Sequence, residues 1–348
     1  MAMQRILINP EDDRPATRDL PSGGTAPDNL PSPKEVKYHP SRSDSENASL
    51  YFVGTATTIL EWAGIRVMTD PNFLHAGDHV HLGPGVSSTR RTNPAVDLHD
   101  LPRIDLVLLS HYHADHFDQK VEASLRRDLP IITTPHAQSQ LTNKAGNSFT
   151  NISALDHFES AMVDIGGSAS LGRRRLRVTG MPGKHVPDNS VVESLNAIVN
   201  AIPPTNGWML ELGTDSSDDE NADNFVCGYR IYITGDTLMV DDLKRIPELY
   251  ANQRIDLMLA HLGGTTVPSP ALGPLALMVT MDAKQGVQMM RLIQPYLTIP
   301  IHYDDYDVFA SPLKDFEAEV VKAGLEGKVL YLDRGEKFGF TVREAISR

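Results

Sequence analysis

Apolar positions along this chain fall into short runs divided by polar and glycine-rich turns, and their spacing alternates between strand and helix periods. TTILEW and IRVMTD flank Ala63-Gly64 and predict a hairpin. IDLVLLS, from Ile104 to Ser110, is a continuous apolar run of strand length and predicts a buried strand. PIITT, RRLRVTG, GWMLELG, YRIYITG, IDLMLAH, LTIPIHY and KVLYLD read as further strands. Helical spacing lies between several of them, over Asp118 to Arg127, Asp241 to Tyr250, Asp282 to Ile293 and Pro312 to Ala323. Strands interleaved with helices, together with consecutive hairpins, predict an α/β protein: two mixed β-sheets packed face to face with helices outside, an αββα sandwich.

The first 48 residues break this pattern. They are rich in Pro, Ser, Asp and Gly, a composition that cannot bury enough apolar surface for a core. We expect an extended or partly disordered arm over 1–48, anchored by Ile6, Leu7 and Ile8, and a compact domain over 49–348. TDSSDDENADN has five acids and no base, and reads as a solvated loop between two strands rather than a calcium site, because its acids lack calcium-loop spacing.

Composition narrows the chemistry. At 348 residues and 41% hydrophobic content the chain can fill a substantial core. No apolar run approaches the roughly 18 residues of a membrane span, and the start has no signal-peptide core, so a cytoplasmic protein without membrane insertion is expected. Cys227 is the single cysteine, which excludes an intrachain disulfide and any multi-cysteine metal site. A formal charge of −13 argues against nucleic acid and anionic membranes as partners, leaving a small-molecule substrate. Nothing in the sequence fixes an oligomeric state.

The densest chemical signal is SHYHADHFD, directly after the predicted buried strand. His111, His113, Asp115 and His116 lie within six residues, and an extended i, i+2 pair turns His111 and His113 the same way. Without a cation, four such groups converging behind an apolar strand would desolvate and repel one another. His185, Asp236 and His302 each follow a strand-like run as well, and together these residues complete two coordination spheres.

Positions 111 to 116 match without departure the His-x-His-x-Asp-His signature of the metallo-β-lactamase superfamily, which the chain resembles. GTATTILEWAGIRVMTDPNF, MPGKHVP, YITGDT and TIPIHYDDYD make it similar to the ascorbate-phosphate-lactonase-like branch, which also contains N-acyl-phosphatidylethanolamine phospholipases D. The resemblance runs from about residue 50 to about residue 340 and departs from the family at Gly183-Lys184. It implies the metallo-β-lactamase fold for a catalytic domain over 49–348. It also implies that His111, His113 and His185 hold one metal, that Asp115, His116 and His302 hold a second, and that Asp236 bridges both. Asp70 would orient a metal-bound histidine. Imidazole and carboxylate donors suit two Zn²⁺ ions, with Mn²⁺ as the alternative.

Two such ions would generate a bridging hydroxide and polarise the bond to be cleaved, with Asp115 holding the nucleophile in line. The expected activity is therefore hydrolysis, by preference of a lactone or lactam-type cyclic ester or amide. A phosphodiesterase of the phospholipase D type is the alternative, and a metal-containing binding protein is the non-enzyme reading. His261, which ends a strand before a Gly-Gly turn, is a further catalytic candidate. Tyr303, Asp304, Asp305 and Tyr306 crowd His302 and are expected to shape the pocket or support that histidine. His75, His79 and His81 lie in a Gly-rich stretch that reads as a lid at the pocket mouth. Arg173, Arg174, Arg175 and Arg177 read as a charged strand edge in preference to a phosphate site. His39, His99, His136 and His157 carry no usable signal.

Overall fold

The structure is a computed structural model, described here for residues 3–20, 24–40, 46–83, 86–166, 173–186, 202–215, 224–267 and 277–344. Its centre is a pair of mixed sheets. The first has the strand order Gln4–Ile8, Ser160–Ile165, Arg174–Gly183, Thr205–Asp215, Phe225–Ile233, Leu257–His261, Leu297–Ile301. The second runs Ile152–Ala154, Ile131–Thr133, Leu106–Leu108, Ile65–Thr69, Thr57–Trp62, Ala48–Gly54, Lys337–Phe340, Val36–Tyr38. Alternate residues of both sheets meet between them, with Leu60, Val67, Leu106 and Leu108 of the second against Val178, Leu210, Ile231 and Leu259 of the first.

Each outer face carries helices. On the first sheet, Met258 and Ala260 pack beneath α3 (Arg245–Leu249), α4 (Ala283–Ile293) and α5 (Leu313–Ala323) through Ile246, Val287, Met290 and Phe316. On the second, Met68, Val107 and Leu109 are covered by α1 (Gln119–Ser124) and α2 (Pro135–Thr142) through Val121, Ala137 and Leu141. These four layers form the αββα sandwich predicted from the pattern. Among the described residues no helix is long and apolar enough to cross a membrane.

Local chemistry explains the elements that position the site. The Thr57–Trp62 and Ile65–Thr69 hairpin turns through Ala63 and Gly64, both at positive φ, as a tight turn matched to strand twist requires. Asp118 caps α1 by accepting from the Lys120 and Val121 amides, which ends the His111–His116 loop and starts the helix. In the second sheet Ile65–Thr69 and Leu106–Leu108 run parallel, and in the first so do Phe225–Ile233, Leu257–His261 and Leu297–Ile301. Residues just beyond these strands therefore gather at one end of the sandwich.

Several expectations change. KVLYLD is not a strand: Leu330 N–H donates once to the Thr298 carbonyl at the edge of the first sheet, and the chain then crosses to the second, where Lys337–Phe340 pairs instead. The segment belongs to neither ladder because it connects them. The arginine run lies on an interior strand, not an edge, flanked on both sides by other strands. Arg175 is buried there between Asp164 at 2.8 Å and Asp215 at 2.9 Å. The stretch holding His79 and His81 is a two-stranded hairpin, His79–Gly83 with Val86–Thr89. In the N-terminal arm, Gln4–Ile8 and Val36–Tyr38 each add a strand at an outer edge, one per sheet. Most of the acidic loop, residues 216–223, lies outside the described residues.

Candidate metal centre

Strand ends bring the candidate ligands together. His111 follows Leu106–Leu108 and is fully buried, and its Nε2 faces His113 Nδ1 at 3.1 Å, two ring nitrogens turned toward one point. His185, beyond Arg174–Gly183, joins them, so His111, His113 and His185 place one ligand atom each within 4.8 Å of one another. Asp115, His116, Asp236 and His302 form a second such group, and Asp70, His116 and His261 a third. Asp236 reaches its place because Gly235 turns at φ +60 against the Asn206 carbonyl, where an added Cβ would sit 2.3 Å from that oxygen.

Behind the ligands, one nitrogen of most imidazoles is committed. His185 Nδ1–H donates to the Val279 carbonyl at 2.9 Å and His302 Nδ1–H to the Leu262 carbonyl at 3.1 Å. His116 Nδ1 is 3.2 Å from Asp70 Oδ2, while Asp70 Oδ1 accepts from the Ser110 amide at 2.7 Å. This anchoring leaves Nε2 of His116, His185 and His302 pointing inward. Those nitrogens and Asp115 Oδ1 are buried with no hydrogen-bond partner among the described residues. Buried polar atoms are rarely left so, and a shared cation satisfies them all. The residues fit divalent metal ions.

Electrostatics agree with that fit. Burial pushes the His113 imidazole down to about 4, and burial with neighbouring imidazoles holds His111 well below its ordinary value, so both offer lone pairs at neutral pH. His116 and His302 go the other way: burial would lower them, but Asp236 and then Asp115 raise both. In the metal-free chain these two imidazoles therefore bind a proton more tightly than an ordinary histidine does. Metal binding displaces such protons, so Zn²⁺ uptake at neutral pH is expected to release them. Calorimetric titration in buffers of differing ionisation enthalpy checks this, and a buffer-independent heat would contradict it.

The remaining candidates separate. His261 is fully buried and its Nδ1–H donates to Asp236 Oδ1 at 3.1 Å, while its Nε2 has no hydrogen-bond partner among the described residues. Thr280, which the sequence gave no reason to single out, donates to Asp236 Oδ2 at 2.7 Å. With Val279 holding His185, the segment Val279-Thr280 supports both ligand groups. Tyr303 packs in the apolar layer beneath the helices of the first sheet. Tyr306 OH accepts from Asn72 at 2.8 Å, and Asp304 and Asp305 pair with Arg334.

A cleft of about 630 Å³ opens beside His113. Leu82, Phe117 and Pro203 give it apolar surface, and His79, His81 and His136 give it imidazoles. His79 and His81 each face their own cross-strand neighbour, Thr89 at 3.1 Å and Ser87 at 2.9 Å. His75 instead pairs with Asp97 at the surface.

The family model described as the β-lactamase superfamily domain matches residues 66–303. This chain belongs to the β-lactamase superfamily. All seven expected ligands lie within the matched span, whereas the Gly54–Thr57 turn and Asp305 lie outside it. Within the superfamily, the chain is 27% identical over 289 residues to a UPF0173 metal-dependent hydrolase of Archaeoglobus fulgidus, covering 83% of this chain and 97% of that one. It is 25% identical over 291 residues to another from Methanopyrus kandleri, covering 82% and 97%. Among solved structures, an isothiocyanate hydrolase from Delia radicum gut bacteria aligns with a TM-score of 0.62 at 17% identity, covering 84% of this chain and 99% of that one. A possible metal-dependent hydrolase from Veillonella parvula gives 0.61 at 18% identity, covering 85% and 100%. At such identities the likeness establishes the fold, the metallo-β-lactamase fold.

Proposed function

We propose that this protein is a metal-dependent hydrolase acting on an uncharged carbonyl substrate, a lactone or lactam-type cyclic ester or amide. The observation that carries the reading is the convergence of partnerless buried nitrogens and a carboxylate oxygen beside a cleft whose described lining has no Lys or Arg. His111, His113 and His185 would hold one cation, Asp115, His116 and His302 a second, with Asp236 between them; zinc is the preferred metal and manganese the alternative. When bound, such ions lower the pKa of water and polarise the bond to be cleaved.

The chain's own groups supply position and proton handling. Asp115, with Oδ1 unpartnered and Oδ2 3.7 Å from His302 Nε2, is placed to orient the attacking water and receive its proton. His261 and Thr280 grip the two oxygens of Asp236 and fix its plane. On the cleft wall, Glu122 is already paired with Lys144, and Tyr112 OH donates to Glu122 at 2.6 Å, so no net charge is offered there.

A phosphodiester anion would ask for cationic side chains that this described lining lacks. The phospholipase D-type alternative thus has less support. A neutral-pH panel tests the choice, with Zn²⁺ or Mn²⁺ added to each reaction. Ring opening of δ-valerolactone, dihydrocoumarin or a simple lactam is expected, with little cleavage of bis(p-nitrophenyl) phosphate. Robust phosphodiester cleavage with no ring opening would reverse the assignment.

A further inference from the structure

We infer that Asp305 is a positioning residue for the second metal site, acting through the Gly54–Thr57 turn rather than by touching a ligand. The inference rests on the reading of His302 as a ligand. Asp305 is fully buried, and its Oδ2 accepts the Thr55 amide at 2.8 Å. The Thr55 carbonyl in turn accepts the His302 amide at 2.9 Å. Both Thr55 and His302 sit at positive φ, +52 and +62, a backbone state that a non-glycine residue keeps only where its surroundings hold it.

Two guanidiniums fix the carboxylate that does the holding. Arg90 Nη2 lies 3.1 Å and Arg334 Nη2 2.9 Å from Asp305 Oδ1. They also lie against Gly54, at φ +138, where an added Cβ would come within 3.1 Å of Arg334 Nε and 3.4 Å of Arg90 Nη2. A side chain at Gly54 would therefore crowd both guanidiniums, and the turn cannot leave without breaking the Asp305 bond.

The same turn reaches the other side of the second site. Thr57 Oγ1 donates to the Asp70 carbonyl at 2.7 Å and accepts the Asn72 amide at 2.9 Å. Asp70 is the carboxylate that orients His116. One short turn thus fixes the backbone of His302 and the partner of His116, whereas no bond from it reaches His111, His113 or His185 among those described. The turn's one direct bond to a ligand residue is to the His302 amide, while its reach through Asp70 extends to His116 and also to Ser110, which precedes His111, so the effect is expected to be largest at the second ligand group.

Selective loss of one ion is therefore the expected signature. The holoenzyme, loaded with Co²⁺, is titrated with a chelator while the visible d–d spectrum reports each site, in the wild type and in Asp305→Asn, Asp304→Asn and His302→Ala. Asp305→Asn should hold the first ion as the wild type does and release the second about 10–100-fold more readily, with an altered spectrum for that site. Asp304→Asn, which removes a more exposed acid that pairs with Arg334 but makes no bond to the turn, should hold the first ion as the wild type does and release the second less readily than Asp305→Asn does. Should Asp305→Asn fail to fold, Arg334→Gln removes one clamp cation at a partly exposed position, and the same selective weakening is expected. Equal release of both ions, or unchanged release of the second, in a folded clamp variant overturns the inference. His302→Ala separates the two levels: if it too retains the second ion, the ligand reading has failed; if it alone loses that ion, the positioning role has failed.

Discussion

Asp236→Asn is expected to lower the affinity for both metal ions by roughly 10²–10³-fold, the equivalent of about 3–4 kcal/mol, as for an uncompensated buried charge. The carboxylate is the one group addressed from every side of the site. Oδ1 accepts from His261, Oδ2 accepts from Thr280, and His116 Nε2 lies 3.3 Å from Oδ2. Burial opposes its ionisation, yet His302 and His116 hold the Asp236 carboxyl well below the usual carboxylate range. Asparagine keeps the shape and removes the charge, so both cations lose a counter-ion at once. His302→Ala is expected to differ by releasing mainly the second ion. Elemental analysis after dialysis against a weak chelator reads the contrast, and two ions retained in both variants would show that the ligands are misassigned.

Stripping the metal with a strong chelator is expected to abolish hydrolysis and to lower the unfolding temperature. A ligand that binds only the native state adds stability by mass action, roughly 4 kcal/mol per site when it is present at a thousandfold excess over its dissociation constant. The stripped site also leaves buried atoms without partners, including Nε2 of His113, His116, His185 and His302. Zn²⁺ or Mn²⁺ should restore both properties, and Mg²⁺ should not, since it takes oxygen donors and this cluster is mostly imidazole. Thermal unfolding and ring-opening rates, followed in parallel through stripping and reloading, make the comparison. An unfolding temperature indifferent to the chelator would count against resident ions.

Much of this architecture was legible because local pattern and global fold agree. The apolar run before His111 has to be a covered strand, and the polar cluster after it has to end one. Helix α4 was readable from Asp282, whose side chain accepts from the Gln285 amide, and from its apolar stripe. Helix α2 was missed although Thr134-Pro135 is an N-cap followed by proline at the first helical position, because its eight residues show little apolar periodicity. His136, set aside as carrying no usable signal, lies on it and lines the cleft. Thr280 could not have been found, since one threonine in LMVTMD carries no sign that Asp236 lies beside it. Asp305 was visible only as one of several polar neighbours of His302; what distinguishes it is a bond to a residue 250 positions away. Tyr303 looked equivalent to Tyr306, but successive residues around His302 point in different directions, and only the fold decides which.

The pairing of Lys337–Phe340 between Ala48–Gly54 and Val36–Tyr38 imposes an order on the protein's synthesis. Residues through His185 have all left the ribosome before Arg334 is made, an interval on the order of 10 s at typical elongation rates of about 5–20 residues per second. Until then the second sheet lacks the strand that fills its interior, and the Gly54–Thr57 turn lacks one of its two guanidinium neighbours. The His111, His113 and His185 cluster needs none of the late residues for its own ligands, whereas the His302 position waits for them.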